Sequence, residues 1–220
     1  MSYLPCIEIE PSLAAQSAVI WLHGLGASGD DFAPIVPHLQ LPDSLATRFI
    51  FPQAPSRPVT INGGMVMPAW YDILSMDIDR TIDEQQIVES ANQIIALVER
   101  EIERGIEASR IVLAGFSQGG AVAYQAALEF DQSLGGLMTM STYFATYETI
   151  IVNPANQHLN IFVSHGTQDP VVAEELGQRA VKLLQEKGLQ PNYKTYPMQH
   201  EVSLAQIQDI SVWLRQRLAG

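Results

Sequence analysis

Two hydrophobic patterns alternate along the chain. Short, nearly continuous apolar runs occur at Ser17 to Leu22 (Ser-Ala-Val-Ile-Trp-Leu), Arg48 to Phe51, Ile111 to Leu113, Leu137 to Met140, Asn160 to Ser164 and Asn192 to Tyr196. Runs of this length, bounded by turn residues, predict buried β-strands. Cys6 to Glu10 is a candidate first strand. Between the runs, apolar residues fall at helical spacing. Ile87, Ala91, Ile94, Ile95, Val98 and Ile102 predict an amphipathic helix that begins at the capping box Thr81-Ile82-Asp83-Glu84 and ends at Gly105. Its charged residues, Glu89, Glu99, Arg100, Glu101, Glu103 and Arg104, read most simply as a solvated face. Gln118 to Phe130 predicts a helix whose alanines allow close approach to a sheet, Val172 to Glu186 one stopped by Gly188, and a closing helix reaches Leu218. Alternating strands and helices imply an α/β fold: a mostly parallel central sheet with helices on both faces.

One stretch departs from both patterns. From Gln53 to Asp77, Pro55, Pro58, Gly63, Gly64 and Pro68 predict no continuous element. The same stretch holds Met65, Val66, Met67, Trp70, Tyr71, Ile73, Leu74 and Met76, which is too apolar for a solvated tether. Met65, Trp70, Ile73 and Leu74 are candidate substrate-binding residues, forming an acyl groove or a mobile lid over Met65 to Met76. For any one of them, capping the core beneath the loop is the alternative.

The candidate chemistry centres on Arg110 to Gly120, Arg-Ile-Val-Leu-Ala-Gly-Phe-Ser-Gln-Gly-Gly. A strand breaks at Gly115, presents the Ser117 hydroxyl and resumes as a helix, which is the form of a nucleophile elbow. By chance alone Gly-x-Ser-x-Gly turns up in roughly 7% of chains this long, given ordinary glycine and serine frequencies. Its place between strand and helix therefore carries more weight than its letters. A serine hydroxyl needs a neutral imidazole to accept its proton, and the imidazole needs a carboxylate to fix its tautomer. Asp169 follows one predicted strand and His200 the last, so serine, acid and histidine stand in the α/β-hydrolase order. The other histidines fit less well: His38 and His158 lie in surface-like or polar segments, and His23 and His165 precede glycines at strand ends. An aspartate before proline, as at Asp169-Pro170, is also a common turn signal.

His23-Gly24-Leu25-Gly26-Ala27-Ser28-Gly29 follows a strand and contains Gly-x-Gly-x-x-Gly, so Gly24 to Gly29 could instead serve a nucleotide-binding oxidoreductase. Asp30 and Asp31 would compete with a pyrophosphate there, and Pro34 and Pro37 obstruct the helix that such a site needs. The other use of the loop is half of an oxyanion hole, with one backbone N–H after this strand and another after the nucleophile. A ligand-binding module that kept the hydrolase fold is the non-enzymatic reading; the filled serine, acid and histidine positions disfavour it.

Composition narrows the field further. At 220 residues the chain is expected to form one domain, residues 1–220, able to bury about 70 to 75% of its unfolded surface. The lone Cys6 excludes an intramolecular disulfide and a cysteine-based metal site, and no His-Glu-x-x-His pattern occurs, so neither a metal nor a cofactor is expected. Pro5, Glu8, Glu10 and Pro11 interrupt any signal-like start, and no apolar run is long enough to span a bilayer. A cytoplasmic location is expected. A net charge of −12 opposes nucleic acid and anionic lipid, leaving only transient apolar contact with a membrane.

Taken together, Val19 to Gly26, Phe51 to Pro55, Val59 to Gly64, Ala69 to Ile73, Gly115 to Gly120 and His165 to Val171 resemble the acyl-protein thioesterase and bacterial carboxylesterase family, also called phospholipase/carboxylesterase. The resemblance spans nearly the whole chain and implies an α/β-hydrolase fold without a separate cap domain. It implies hydrolysis of short- to medium-chain carboxylic esters or acyl thioesters through an acyl-enzyme, with lysophospholipase activity as the alternative within the fold. Ser117, Asp169 and His200 would be the catalytic residues, and the backbone N–H groups of Leu25 and Gln118 the oxyanion donors. Lipidated protein or lysophospholipid would be substrate, and a homodimer is compatible with it. The chain departs from the bacterial pattern at Gln199, where glycine commonly precedes the histidine.

Overall fold

The run Ser17–Leu22 is buried along its whole length, and its side chains divide by parity. Ala18, Ile20 and Leu22 join one apolar cluster, while Val19 and Trp21 join another. Successive strand residues point to opposite faces, so a strand buried on both sides shows as an unbroken apolar run rather than an alternating one. The structure is a computed structural model that describes residues 3–75 and 81–219.

In chain order the strands are β1 (Cys6–Ile9), β2 (Ser17–Leu22), β3 (Thr47–Pro52), β4 (Ser56–Val59), β5 (Met65–Pro68), β6 (Ile111–Phe116), β7 (Gly136–Met140), β8 (Ile161–Gly166) and β9 (Pro191–Tyr196). Seven of them form one sheet in the order β1-β3-β2-β6-β7-β8-β9. Only β1 runs antiparallel to its neighbour; the other pairings are parallel. On one face pack α2 (Glu84–Glu103), α3 (Gln118–Glu129) and α4 (Glu174–Glu186), through Ile87, Ile94, Val122 and Ala180 among others. The other face is covered by α1 (Val36–Leu39) and α5 (Leu204–Leu218), through Leu39, Ile210, Trp213 and Leu214. The register pairs Leu22 with Gly115, Phe116 with Met140, and Gly166 with Tyr196. The loops after β2, β6, β7, β8 and β9 therefore open on one edge, where ligands of parallel sheets bind.

Several boundaries differ from the sequence pattern. The stretch read as having no continuous element contains a hairpin, with β4 and β5 paired antiparallel as a separate ribbon. Gly63 (φ 66°) and Gly64 (φ 77°) make its turn in the left-handed region. Pro58 and Pro68 are tolerated because each strand of a two-stranded ribbon has an edge that requires no ladder donor. Met76 and Asp77, at the end of that stretch, lie outside the described residues.

The cap of α2 is Asp83, whose side chain accepts from the Gln86 N–H, rather than Thr81. Thr81 is engaged elsewhere: its carbonyl accepts the N–H groups of Leu74 and Ser75, and Ile82 bridges to Ile73. Helix α4 starts at Glu174 rather than Val172, because Ala173 is extended (φ −55°, ψ 140°) and forms the cap, while the Val172 N–H donates to Asp169. The charged face of α2 is not wholly solvated either. Glu101 is fully buried and paired with Arg48 (2.6 Å), Arg100 (3.0 Å) and Arg104 (3.0 Å), which a lone buried carboxylate would require.

Candidate active site

Ser117 joins β6 to α3 with φ 52° and ψ −122°, a conformation strained for any residue with a side chain. The surroundings force it. The Ser117 N–H donates to the Met140 carbonyl (2.9 Å), and the Ser117 carbonyl accepts from the Gly120 N–H (2.9 Å) and the Thr142 hydroxyl (2.6 Å). A Cβ at Gly115 would lie 2.4 Å from the Gly119 carbonyl oxygen, and one at Gly119 would lie 2.5 Å from the His23 carbonyl oxygen. Helix and strands approach so closely that only glycine fits at either position. Helix α3 is buried along all but its last residue, Glu129, which fits its many glycines and alanines, and its buried Gln118, Tyr124 and Gln125 each find a hydrogen-bond partner.

The loops after β8 and β9 cross. Thr167 N–H donates to the Tyr196 carbonyl (2.9 Å) and Gln168 N–H to the Met198 carbonyl (3.1 Å). Gly166 permits the crossing, since a Cβ there would lie 2.4 Å from the Met198 carbonyl oxygen. The result is a continuous hydrogen-bonded chain: Asp169 Oδ2 lies 2.7 Å from His200 Nδ1, and His200 Nε2 lies 3.0 Å from Ser117 Oγ. The Phe116 ring packs against the His200 ring with centroids 4.7 Å apart. Gln199 is not among the described non-glycine residues with positive φ, so the backbone before His200 does not require a glycine.

Asp169 is held as a carboxylate. Burial would raise its pKa, but hydrogen bonds from His200 and from the Val172 and Val171 N–H groups outweigh it and lower the pKa below 3.8. His165, also buried, lies behind the acid: its Nε2 is 2.8 Å from the Val172 carbonyl oxygen and 3.6 Å from Asp169 Oδ2. Burial lowers the pKa of His165, only partly opposed by the Val172 carbonyl and Asp169, so the ring is neutral and Nε2–H donates to Val172. His23 is likewise buried and lowered by desolvation; its Nε2 accepts from the Ala54 N–H (3.1 Å). His38 and His158 are exposed.

The glycine loop after β2 has its own geometric reasons. Gly26 takes φ 73°, and a Cβ at Gly29 would lie 2.7 Å from the Phe51 carbonyl oxygen. The Gly29 N–H is already taken by Gln53 Oε1 (2.9 Å), and the chain continues into a 3-10 turn at Ala33–Ile35 and the one-turn α1. No long helix offers its N-terminus to a pyrophosphate there, so the dinucleotide reading loses its main physical support. Among the described residues, the backbone N–H groups of Leu25 and Gln118 meet no protein acceptor, whereas those of Gly26 and Ala27 do.

A cavity of about 310 Å³ opens beside Ser117, walled by Leu25, Ile61, Tyr71, Ile73, Phe116, Gln118, Tyr143, Val171 and His200 among others. Of the four residues proposed for the groove or lid, Ile73 is in this wall. Trp70 is fully buried outside it and acts as a strut: its indole N–H donates to the His23 carbonyl (2.8 Å), and its own carbonyl accepts from Ser90. A buried indole needs such an acceptor. Met65 and Leu74 are not in the wall either, and are 64% and 45% exposed. Tyr71 lies within the 65–76 segment read as a groove or lid, whereas sequence reasoning missed Phe116, Tyr143 and the side chain of Gln118. The last accepts from the Trp70 N–H (2.8 Å) and donates to the Tyr71 carbonyl (2.6 Å), tying the 70–71 segment to the elbow helix. Phe116 stands inside the elbow motif and Tyr143 just beyond the end of β7, so both were findable from position.

A mostly parallel sheet covered on both faces, with a serine elbow and a histidine–aspartate pair at its carboxyl edge, defines an α/β-hydrolase. The chain belongs to the phospholipase/carboxylesterase family, whose model matches residues 5–218. It is 38% identical over 220 residues to acyl-protein thioesterase 1 of Neurospora crassa, covering 94% of this chain and 90% of that one. It is 33% identical over 211 residues to carboxylesterase SOBER1 of Arabidopsis thaliana, covering 94% and 92%. Among solved structures, Arabidopsis SOBER1 superposes with a TM-score of 0.86 at 31% identity over 93% of this chain and 100% of that one. Zea mays acyl-protein thioesterase 2 gives 0.86 at 26% identity over 98% and 100%.

Proposed function

We propose that this chain hydrolyses carboxylic esters and acyl thioesters with Ser117 as nucleophile, His200 as general base and acid, and Asp169 as the carboxylate that orients His200. The observation that carries the reading is the unbroken Asp169–His200–Ser117 hydrogen-bonded chain ending at a cavity. Ser117 Oγ attacks the acyl carbon as its proton passes to His200 Nε2. Asp169 stabilises the resulting imidazolium and keeps Nδ1–H directed at itself. The carbonyl electrons move onto oxygen, where the N–H groups of Leu25 and Gln118 donate to the oxyanion. Collapse breaks the carbon–oxygen or carbon–sulfur bond, and His200 returns the proton to the leaving group. Water, deprotonated by the same imidazole, then cleaves the acyl-enzyme. Names of relatives support both ester and thioester substrates.

Residues 1–220 act in this reading as one cytoplasmic domain. No helix among the described residues is long and apolar enough to cross a membrane. The exposed Met65 and Val66 on the hairpin offer the apolar contact by which an acidic protein would meet a lipid-borne substrate, a lipidated protein or a lysophospholipid. A fluorophosphonate probe tests the assignment: Ser117 is expected to carry the label, located by mass spectrometry. Ser117→Ala is expected to lose label and about a millionfold in turnover, by analogy with other serine triads. Retention of a tenth of the activity, or label on another residue, overturns it.

A further inference from the structure

The Leu25 N–H shares its peptide group with the Gly24 carbonyl, and the Gln118 N–H shares its own with the Ser117 carbonyl. A trans peptide is planar, so its N–H and C=O point in opposite directions, and whatever fixes the carbonyl aims the N–H. Both carbonyls are gripped by a buried side chain. His23 Nδ1 lies 2.7 Å from the Gly24 carbonyl oxygen, and the Thr142 hydroxyl donates to the Ser117 carbonyl at 2.6 Å. A backbone N–H from further along each loop donates to the same oxygen: Ala27 to Gly24 (3.3 Å) and Gly120 to Ser117 (2.9 Å). Gly24, Leu25, Ser117 and Gln118 stand in the wall of the cavity, and His23 and Thr142 lie behind it. The hydrogen on the His23 ring is fixed by its partners. A carbonyl only accepts and the Ala54 N–H only donates, so Nδ1 carries the hydrogen and Nε2, 3.1 Å from the Ala54 nitrogen, does not. Thr142 is equally constrained: a Cβ at Gly120 would lie 2.6 Å from its Cγ2, so α3 packs on the methyl while the hydroxyl meets the Ser117 carbonyl.

We propose that His23 and Thr142 are positioning residues that hold the two halves of the oxyanion hole from behind, each by a hydrogen bond to the carbonyl of the peptide whose N–H faces the substrate. The proposal rests on the reading of Ser117 as nucleophile with the Leu25 and Gln118 N–H groups as oxyanion donors. A hydrogen bond accepted by a peptide carbonyl also polarises that peptide and makes its N–H a stronger donor. Full charge on the substrate oxygen develops only on the way to the tetrahedral state. Loosening either grip therefore lowers kcat and leaves KM nearly unchanged.

The test measures kcat and KM for p-nitrophenyl butyrate, the melting temperature, and inhibition by an alkyl trifluoromethyl ketone. The ketone carbon takes up Ser117 Oγ, the proton passing to His200, and the adduct keeps a negative oxygen where the oxyanion would sit. Thr142→Val keeps the shape and removes the hydroxyl. Its kcat is expected to fall about tenfold, short of the roughly hundredfold or greater loss that follows removal of a whole donor. KM should stay within about twofold, and ketone affinity should fall in proportion to kcat. Thr142→Ser restores the hydroxyl and is expected to recover most of that loss. At His23 two amides separate the contacts: His23→Asn places a donor at the Nδ1 position, toward Gly24, whereas His23→Gln places an acceptor at the Nε2 position, toward Ala54. His23→Gln is therefore expected to lose more kcat than His23→Asn. If the His23 variants do not fold, the Thr142 pair decides. A Thr142→Val chain with a lowered melting temperature but unchanged kcat per folded molecule and unchanged ketone affinity overturns the proposal. Equal losses in Thr142→Val and Thr142→Ser, or the reverse order at His23, do so too. Fluorophosphonate labelling of the parent separates the two claims: label on Ser117 with unaltered Thr142→Val kinetics sinks the positioning pair alone, whereas no label on Ser117 sinks the underlying reading.

Discussion

The crossing of the loops that carry Asp169 and His200 depends on the lack of one methyl group. At Gly166 a Cβ would press on the Met198 and Gln199 carbonyl oxygens at 2.4 and 2.5 Å, and backbone cannot rotate away as a side chain can. Gly166→Ala is therefore expected to spread the two loops. A displacement near 1 Å at a reacting group costs about a hundredfold in rate, so kcat and the rate of fluorophosphonate labelling should fall together by about that factor, with KM changed far less. Gln199→Gly is the contrasting case. Because Gln199 needs no left-handed backbone, the change should leave kcat within about twofold of the parent. Equal losses in both variants would mean that the loops are not held by this contact. At this scale the sequence was readable where position alone carried the meaning: Ser117 between strand and helix, and acid and histidine after later strands. It was unreadable for Trp70, because an aromatic beside an active site looks the same in the sequence whether it lines the cavity or braces the loop behind it. Which of the two holds depends on the His23 carbonyl that accepts its indole N–H.

Among elements, α4 braces the acid loop through one contact. A Cβ at Gly177 on this helix would lie 2.4 Å from His165 Nδ1, and His165 in turn donates to the Val172 carbonyl beside Asp169. Gly177→Ala should push the imidazole toward the acid and shift Asp169 away from His200. His165 would then be a positioning residue, and the expected result is a tenfold or greater loss in kcat with fluorophosphonate labelling slowed in proportion. A purely structural role would lower the melting temperature and leave kcat per folded molecule unchanged. The helices themselves follow from their apolar period, but their starts do not. Asp83 replaces Thr81 as the cap of α2 because Thr81 is tied back to Leu74 and Ser75, a contact that no local pattern encodes. The β4–β5 hairpin was missed for a related reason: its prolines argue against a strand in a wide sheet and not against one in an isolated ribbon.

For the whole molecule, the buried neutral histidines predict a pH-dependent stability. Burial lowers the pKa values of both His23 and His165 below the ordinary 6.5. Below 6.5 the unfolded chain takes up protons that the folded chain refuses, so their contribution is intact above that value and is lost as pH falls through the lowered pKa values. The melting temperature should drop between pH 7 and pH 5, and less steeply in a His165→Gln chain. A further loss is expected below pH 4, where Asp169 and Asp209, whose carboxyls are held below 3.8, become protonated. A melting temperature flat from pH 7 to pH 5 would remove the argument. The sequence by itself determined the order of the central-sheet strands and the long helices, the two-faced burial of the sheet and the loops on which Ser117, Asp169 and His200 stand, because these depend on local period and on spacing along the chain. Only the tertiary structure decided that Glu101 is buried among arginines, that Ile73 and not Met65 or Leu74 faces the cavity, and that Tyr143 joins Ile73 in its wall. Those outcomes rest on contacts between residues distant in the chain, where strand register and the crossing of loops determine which side chains meet.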